Sequence, residues 1–164
     1  LKMGYALWTS QARLLVDLHT SLDDEAGNSD GTLLSLRVRG WRKCTGPLDL
    51  AGIRPSVQVT MDQADTKYLG YIDITAGMML RFLLPKQVTL DVTPSYKTRD
   101  YDASHPDYGV TRNDSEFKCR LDASQPWSMK TTLTATLSLS QHDSNIDYYT
   151  YDETIVGAGI TYAP

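Results

Sequence analysis

From Thr132 to Ser140 the chain alternates without a break, with Leu133, Ala135, Leu137 and Leu139 on one parity and Thr132, Thr134, Thr136, Ser138 and Ser140 on the other. Successive side chains of a β-strand point to opposite faces, so this period of two predicts a strand, within Met129–Gln141, with one apolar and one polar side. In a soluble sandwich or barrel the apolar side faces inward. In an outer-membrane barrel it faces lipid. What the rest of the chain can be depends on which orientation the other segments support.

Alternating segments recur about every 20 residues, a spacing set by strand plus turn. The first is Trp8 to Ser21, followed by Thr32 to Lys43, Leu50 to Met61, Tyr68 to Leu83, Val88 to Arg99, Ser115 to Ala123, Met129 to Gln141 and Thr154 to Tyr162. Polar stretches such as D-D-E-A-G-N-S-D-G and D-Y-D-A-S-H-P-D-Y-G-V-T-R-N-D alternate with tight turns such as T-G-P and S-Q-P-W. The second of those polar stretches reads as a solvated loop, too hydrophilic to bury. An even number of segments with loops long, short, long predicts an all-β, eight-stranded antiparallel up-and-down transmembrane β-barrel with a polar interior. The whole chain, 1–164, reads as a single barrel domain or as the C-terminal part of a larger barrel.

Composition permits this and closes other routes. The net charge of -4 and the acidic isoelectric point argue against a nucleic-acid partner. No apolar run reaches the roughly 18 residues of a membrane-spanning helix, whereas a barrel strand needs only alternate apolar residues over about 9–11 positions. The opening L-K-M-G-Y-A-L-W has no apolar signal-peptide core, so the sequence reads as a mature chain or a fragment. Cys44 and Cys119 have neither metal-ligand spacing nor the number needed for a disulfide scaffold. No metal, phosphate-loop or cofactor motif is present, and no cofactor is expected.

The polar parity of the segments carries mixed charges: Arg13, Asp17, Arg37, Arg39, Arg54, Asp73, Arg81, Asp91, Lys97, Glu116, Lys118, Arg120 and Asp122. A solvated sheet face is usually rich in Lys and Glu, but here Thr, Ser and Gly predominate around these charges. Such a set suits a narrow polar lumen in which each charge meets a partner. The opposite parity holds Leu14, Val16, Leu36, Val57, Ile72, Ile74, Leu90, Phe117, Leu133, Leu137, Val156 and Ile160, which are expected to face lipid. Trp8, Trp41, Tyr68, Tyr96, Trp127 and Tyr162 are expected near strand ends as interfacial girdles. Gly40 beside Trp41 suggests a bulge. Pro55 and Pro94 fall inside strands, where proline removes a ladder hydrogen bond, so bulges are expected there too.

Two resemblances attach to particular residues. The run D-S-N-I-D-Y-Y-T-Y-D-E-T-I-V-G-A-G-I-T-Y, Asp143 to Tyr162, and R-F-L-L-P-K-Q-V-T-L, Arg81 to Leu90, resemble barrel hairpins of Gram-negative outer-membrane proteins. The likeness is to the barrels of surface lipoprotein assembly modifier-like proteins and covers the C-terminal half. Those barrels have more strands and follow helical repeats, and this chain ends in Ala163-Pro164 where the usual closing signal ends in an aromatic residue. The second resemblance is His142, Ser144, Asn145 and Glu153, similar to the catalytic pattern of outer-membrane lipid A deacylase. It implies Ser144 as nucleophile, His142 as base, Glu153 as its orienting carboxylate and Asn145 as oxyanion donor. A polar turn explains the same residues, and strand parity puts His142 and Ser144 on the lumen side, whereas that family's catalytic pair faces lipid. His19 and His105 read as a lumen hydrogen-bonder and a loop residue.

The expected function is a non-catalytic outer-membrane barrel, structural or serving transport or export. Its expected partners are outer-membrane lipid or detergent and the barrel-assembly machinery. A deacylase-like hydrolase and a soluble lipocalin-like ligand-binding barrel are the alternatives.

Overall fold

The structure is a computed structural model that describes residues 8–19, 31–44, 50–64 and 66–163. The expected loop D-D-E-A-G-N-S-D-G, the T-G-P turn and the chain's first residues lie outside these, as do the side chains of 8–19, including Trp8, Arg13, Leu14, Val16, Asp17 and His19. The described strands are β1 (Trp8–His19), β2 (Gly31–Lys43), β3 (Leu50–Ala64), β4 (Tyr71–Leu84), β5 (Val88–Ser104), β6 (Thr111–Pro126), β7 (Thr131–Ser144) and β8 (Tyr151–Tyr162). They form one sheet in sequence order, each pairing antiparallel with the next. Side chains are described throughout β3–β8 and for most of β2, and β1 joins at the edge through its backbone register. No pairing joins β8 to β1 among the described residues, so the sheet is an open up-and-down meander and not a closed barrel.

Two strands run well past their expected ends. β5 continues from Arg99 to Ser104, and β6 begins at Thr111, where the sequence suggested a long loop. Only residues 105–110 turn the chain, with Gly109 at φ 66 and its N–H donating to the His105 carbonyl at 2.8 Å. A residue with a Cβ resists that left-handed conformation, which explains glycine at this corner. The lengthening of β5 and β6 shortens the loops at this end, so the long-short alternation is weaker than the sequence suggested.

The prolines are accommodated without bulges. Pro55 keeps its place opposite Met78, and β2–β3 pairing lapses only between Arg39–Ser56 and Arg42–Ile53, then resumes in the same register. Pro94 stays opposite Cys119, while β4–β5 pairing lapses between Gly77–Ser95 and Leu80–Val92, again without a shift. Each proline thus interrupts the ladder on one side only, because an antiparallel residue directs its N–H to one neighbour. No bulge lies at Gly40 either. The β3–β4 register shifts between Leu50 and Gly52. There the Trp41 ring lies over Gly52 so closely that a Cβ would overlap its six-membered ring. Trp41 therefore packs on the polar face, with the Arg81 guanidinium 5.9 Å from its ring centre, and does not belong to an outer girdle. Tyr96 lies mid-strand opposite Phe117, and Tyr68 sits in the turn before β4, so neither marks a strand end facing outward. Trp127 and Tyr162 are exposed beside strand ends.

Burial across the sheet is inverted relative to a soluble core. Leu36, Val57, Ile74 and Phe117 are 47–52 % exposed, whereas Thr60, Asp73 and Asp114 on the other parity are 2–6 % exposed. The curved sheet encloses its polar side and leaves its apolar side bare. Register carries this across strands: Val38, Val57, Ala76, Tyr96 and Phe117 form one continuous row on the apolar face. β8 is exposed over its whole length, as the free edge of the sheet.

The β4–β5 hairpin turns through Pro85–Gln87, where Lys86 and Gln87 both take positive φ, near 60°. That backbone suits Asn-Gly and disfavours ordinary L-residues by about 1 kcal/mol or more each. Lys86→Asn with Gln87→Gly is expected to stabilise the fold by about 1 kcal/mol, read as a higher urea midpoint with unchanged slope. A lower midpoint would contradict the turn geometry.

Candidate functional site

The enclosed polar face is the candidate functional surface. Strands β2 to β8 contribute alternate residues to it, so its chemistry is written by parity. In the β4–β7 region cations and carboxylates meet in pairs. Arg81 donates to Asp91 through Nε at 2.7 Å and Nη2 at 2.6 Å, a two-pronged contact between residues directly opposite in the register. Arg99 reaches Asp73 at 3.1 Å, also its direct partner across β4–β5, and its guanidinium lies 3.9 Å from the Tyr71 ring centre. Lys97 pairs with Glu116 across β5–β6, and Arg120 with Asp122 along β6, where Thr136 also donates to Asp122 at 2.8 Å. Opposite charges fixed at neighbouring positions meet the cost of leaving water together.

The deepest of these groups is Asp114. Arg112 Nε donates to its Oδ1 at 2.9 Å, and the His142 Nε2 stands 3.5 Å from Oδ2. The Arg112 guanidinium is sandwiched between rings, 3.5 Å from the Tyr149 centre and 4.8 Å from that of Tyr101. Around it the β3–β4, β5–β6 and β7–β8 turns are tied together. His105 contacts Tyr149 Oη at 3.2 Å, with Tyr68 and Tyr108 rings beside it. Asn145 clamps β6, accepting from the Asn113 N–H and donating to the Thr111 carbonyl, both at 2.8 Å.

Of the residues expected to line a polar interior, the structure joins Asp73, Arg81, Asp91, Lys97, Glu116, Arg120 and Asp122 into pairs. Arg37, Arg39 and Arg54 gather elsewhere, around a cavity on β2–β5, and Lys118 lies on the same face in the row of Arg39. Arg13 and Asp17 stand on β1 opposite Arg37 and Leu33. Sequence reasoning missed Arg99, Arg112 and Asp114. The parity that marks Glu116, Lys118, Arg120 and Asp122 extends unbroken back through Asp114 to Arg112, but polar Asn113 and Ser115 on the outer parity hid the alternation.

The deacylase-like residues are placed apart in role. His142 is buried, stacked on Tyr151 at 4.9 Å and facing Asp114. The Ser144 hydroxyl accepts from the Ile146 N–H at 3.2 Å, in a local turn. Asn145 is occupied by β6, and Glu153 accepts weakly from Ser140 at 3.5 Å. No hydrogen bond links Ser144 to His142, or His142 to Glu153, among the described residues. Nor does any cluster of three or more His, Cys, Asp or Glu suited to a metal occur among them. Cys44 and Cys119 are free thiols.

The burial contrast ranks the ion pairs. Asp114→Ala leaves Arg112 without its counter-charge in an enclosed site and is expected to cost about 3 kcal/mol or more. Asp122→Ala, at a much more exposed pair, is expected to cost about 1 kcal/mol or less. Equal losses in urea unfolding would contradict that ranking.

No curated protein and no solved structure matches the chain. A family model described as "Protein of unknown function (DUF2860)" matches residues 49–163, which takes in β3 through β8 and with them all the ion pairs above. The match spans more than half of the sequence, and the chain therefore belongs to the DUF2860 family.

Proposed function

We propose that the chain forms the wall of an outer-membrane β-barrel, a non-catalytic structural or transport module whose bare apolar face meets lipid. The single observation that carries this reading is the inverted burial: exposed Leu, Ile, Val and Phe on one side of the sheet, enclosed ion pairs on the other. A lipocalin-like barrel requires the reverse, with the apolar parity inside.

Three features support the reading. The apolar belt on β4 from Ile72 to Phe82 is ten residue steps long. At about 3.3 Å per residue and a tilt of about 40° it spans about 25 Å, the height of a barrel's lipid-facing band. On that parity β4 carries no charge from Ile72 to Phe82, and the charged residues of the other described strands, Arg42, Asp100, Asp102, Asp143 and Asp152, lie toward the ends of their own strands. Acidic loops at one end and tight turns at the other fit an outward and a periplasmic side. Finally, an open sheet cannot sit in lipid with bare edges, so the β1 and β8 edges must be sealed. In an eight-stranded barrel they would pair with each other; in a larger parent barrel of the assembly-modifier kind, further strands would flank them. Delivery by the barrel-assembly machinery and residence in the outer membrane follow from the same reading.

A folded barrel of this kind is expected to need detergent or lipid and to migrate differently on a gel before and after heating. Ala76→Arg, at the middle of the belt, is expected to cost about 2–4 kcal/mol in bilayers, and Gln63→Arg at its end about 1 kcal/mol or less. A folded, water-soluble monomer that tolerates both equally would overturn the proposal.

A further inference from the structure

The two ends of the sheet differ in charge. Leu84–Leu90 and Ala123–His142 contain no Asp or Glu, and each holds one lysine at its turn, Lys86 and Lys130. At the opposite end the β5–β6 and β7–β8 turns carry Asp107 and Asp147, with Asp100, Asp102, Asp143 and Asp152 beside them. Just inside the two lysine-bearing turns, on β5–β7, lies a cavity of about 190 Å³ whose lining includes Val88, Ala123, Gln125, Leu133 and Ala135. All five belong to the apolar parity. From this arrangement we infer that the corner formed by the β4–β5 and β6–β7 turns is a docking surface for an anionic phospholipid, with its phosphate held by Lys86 and Lys130 and the upper part of an acyl chain in the cavity. The inference rests on the lipid-facing reading above and adds to it the class of lipid.

Register brings these groups to one corner. The start of β5 pairs with the end of β6, Thr89 opposite Ser124, and the end of β6 pairs with the start of β7, Gln125 opposite Leu133. Ala123 stands beside Ala135, and these short side chains between Val88 and Leu133 leave the recess. The two turns are two strand spacings apart, about 10 Å, a gap that long lysine stems bridge from both sides. Both lysines are exposed. Around them the turns project apolar groups: Trp127 is 73 % exposed, Met129 is fully exposed, and Leu83 and Leu84 are exposed before Lys86. The β6–β7 turn is a fixed frame, since the Trp127 N–H donates to the Thr131 carbonyl and the Ala163 N–H to the Lys130 carbonyl, both at 2.8 Å. An indole bare to water is costly, whereas at a headgroup boundary its ring meets acyl chain and its N–H meets a polar partner. Lysine stems lie along apolar surface while their ammonium groups reach headgroup level, where an anionic leaflet attracts them. Charge complementarity selects the occupant. A zwitterionic lipid offers the same chains but sets a cationic group beside its phosphate, which the two lysines repel.

The test is titration of the folded full chain in a neutral detergent with phosphatidylglycerol, phosphatidylcholine and inorganic phosphate in parallel, followed by backbone-amide chemical shifts. Phosphatidylglycerol is expected to give saturable shifts at residues 85–88 and 123–135, at lower concentration than phosphatidylcholine. Lys86→Gln with Lys130→Gln is expected to weaken that binding about tenfold, and added salt should weaken it without any substitution. Lys67→Gln, which removes an exposed lysine from the turn before β4 at the opposite end, should leave it unchanged. No saturable response to phosphatidylglycerol, equal affinity for the two lipids, equal weakening by Lys67→Gln, or the same response to inorganic phosphate overturns the site and leaves the barrel standing. Folded protein that stays in water without detergent overturns the barrel reading, and the lipid site with it.

Discussion

The structure depends on keeping two chemically opposed faces in register across a whole antiparallel sheet. A slip of one residue in any pairing would swap lipid-compatible and charged side chains on that strand. The described pairings hold the register past both prolines, and the shifts that occur lie toward strand ends, at Leu50–Gly52 and at Asp100–Ser104. Pro55 and Pro94 lie in separate hairpins and interrupt different ladders, so each lapse is spanned by an intact ladder on the strand's other side. The ion pairs reinforce the same register, because Arg81–Asp91, Asp73–Arg99 and Lys97–Glu116 are each direct cross-strand partners. A shifted strand would separate those charges inside an enclosed face, at a cost of several kcal/mol per unpaired group.

Among the described residues, the ion pairs of this face gather on β4, β5 and β6. Pairs such as Arg81 with Asp91 satisfy each other's charge. On β2 and β3, Gln58 orients Arg37 and the Met79 sulfur accepts from Arg54. The tyrosine-rich cluster around His105 and Arg112 joins three turns at one end of the sheet. The catalytic-looking residues His142, Ser144 and Asn145 are used in that cluster and in the β7 end, as supports.

Much of this was legible from residue order alone. Thr131–Ser144 and Tyr71–Leu84 alternate cleanly, and the structure makes them strands with the parity they display. The polar network was legible where polar and apolar residues alternate, as at Asp73, Arg81, Asp91, Glu116 and Asp122. It was not legible at Arg99, Arg112 and Asp114, because near the strand ends both faces become polar and hydrophobic period disappears while backbone pairing continues. Trp41 misled for a related reason: an aromatic near a strand end was read as an outward anchor, but the missing Cβ of Gly52 makes room for its ring on the inner face. Which charges meet depends on cross-strand register, and strand parity alone does not contain that information.

The central claim is that the apolar parity faces lipid and the polar parity faces an enclosed aqueous interior. The most direct measurement is a spin-label scan along residues 72–81 of β4 in lipid bilayers, one cysteine at a time, with Cys44→Ser and Cys119→Ala in the background. Even positions, Ile72 through Leu80, should show high accessibility to oxygen dissolved in lipid and low accessibility to a water-soluble reagent, with odd positions shielded from lipid. High aqueous accessibility at the even positions, or a scan without period-two alternation, would contradict the account.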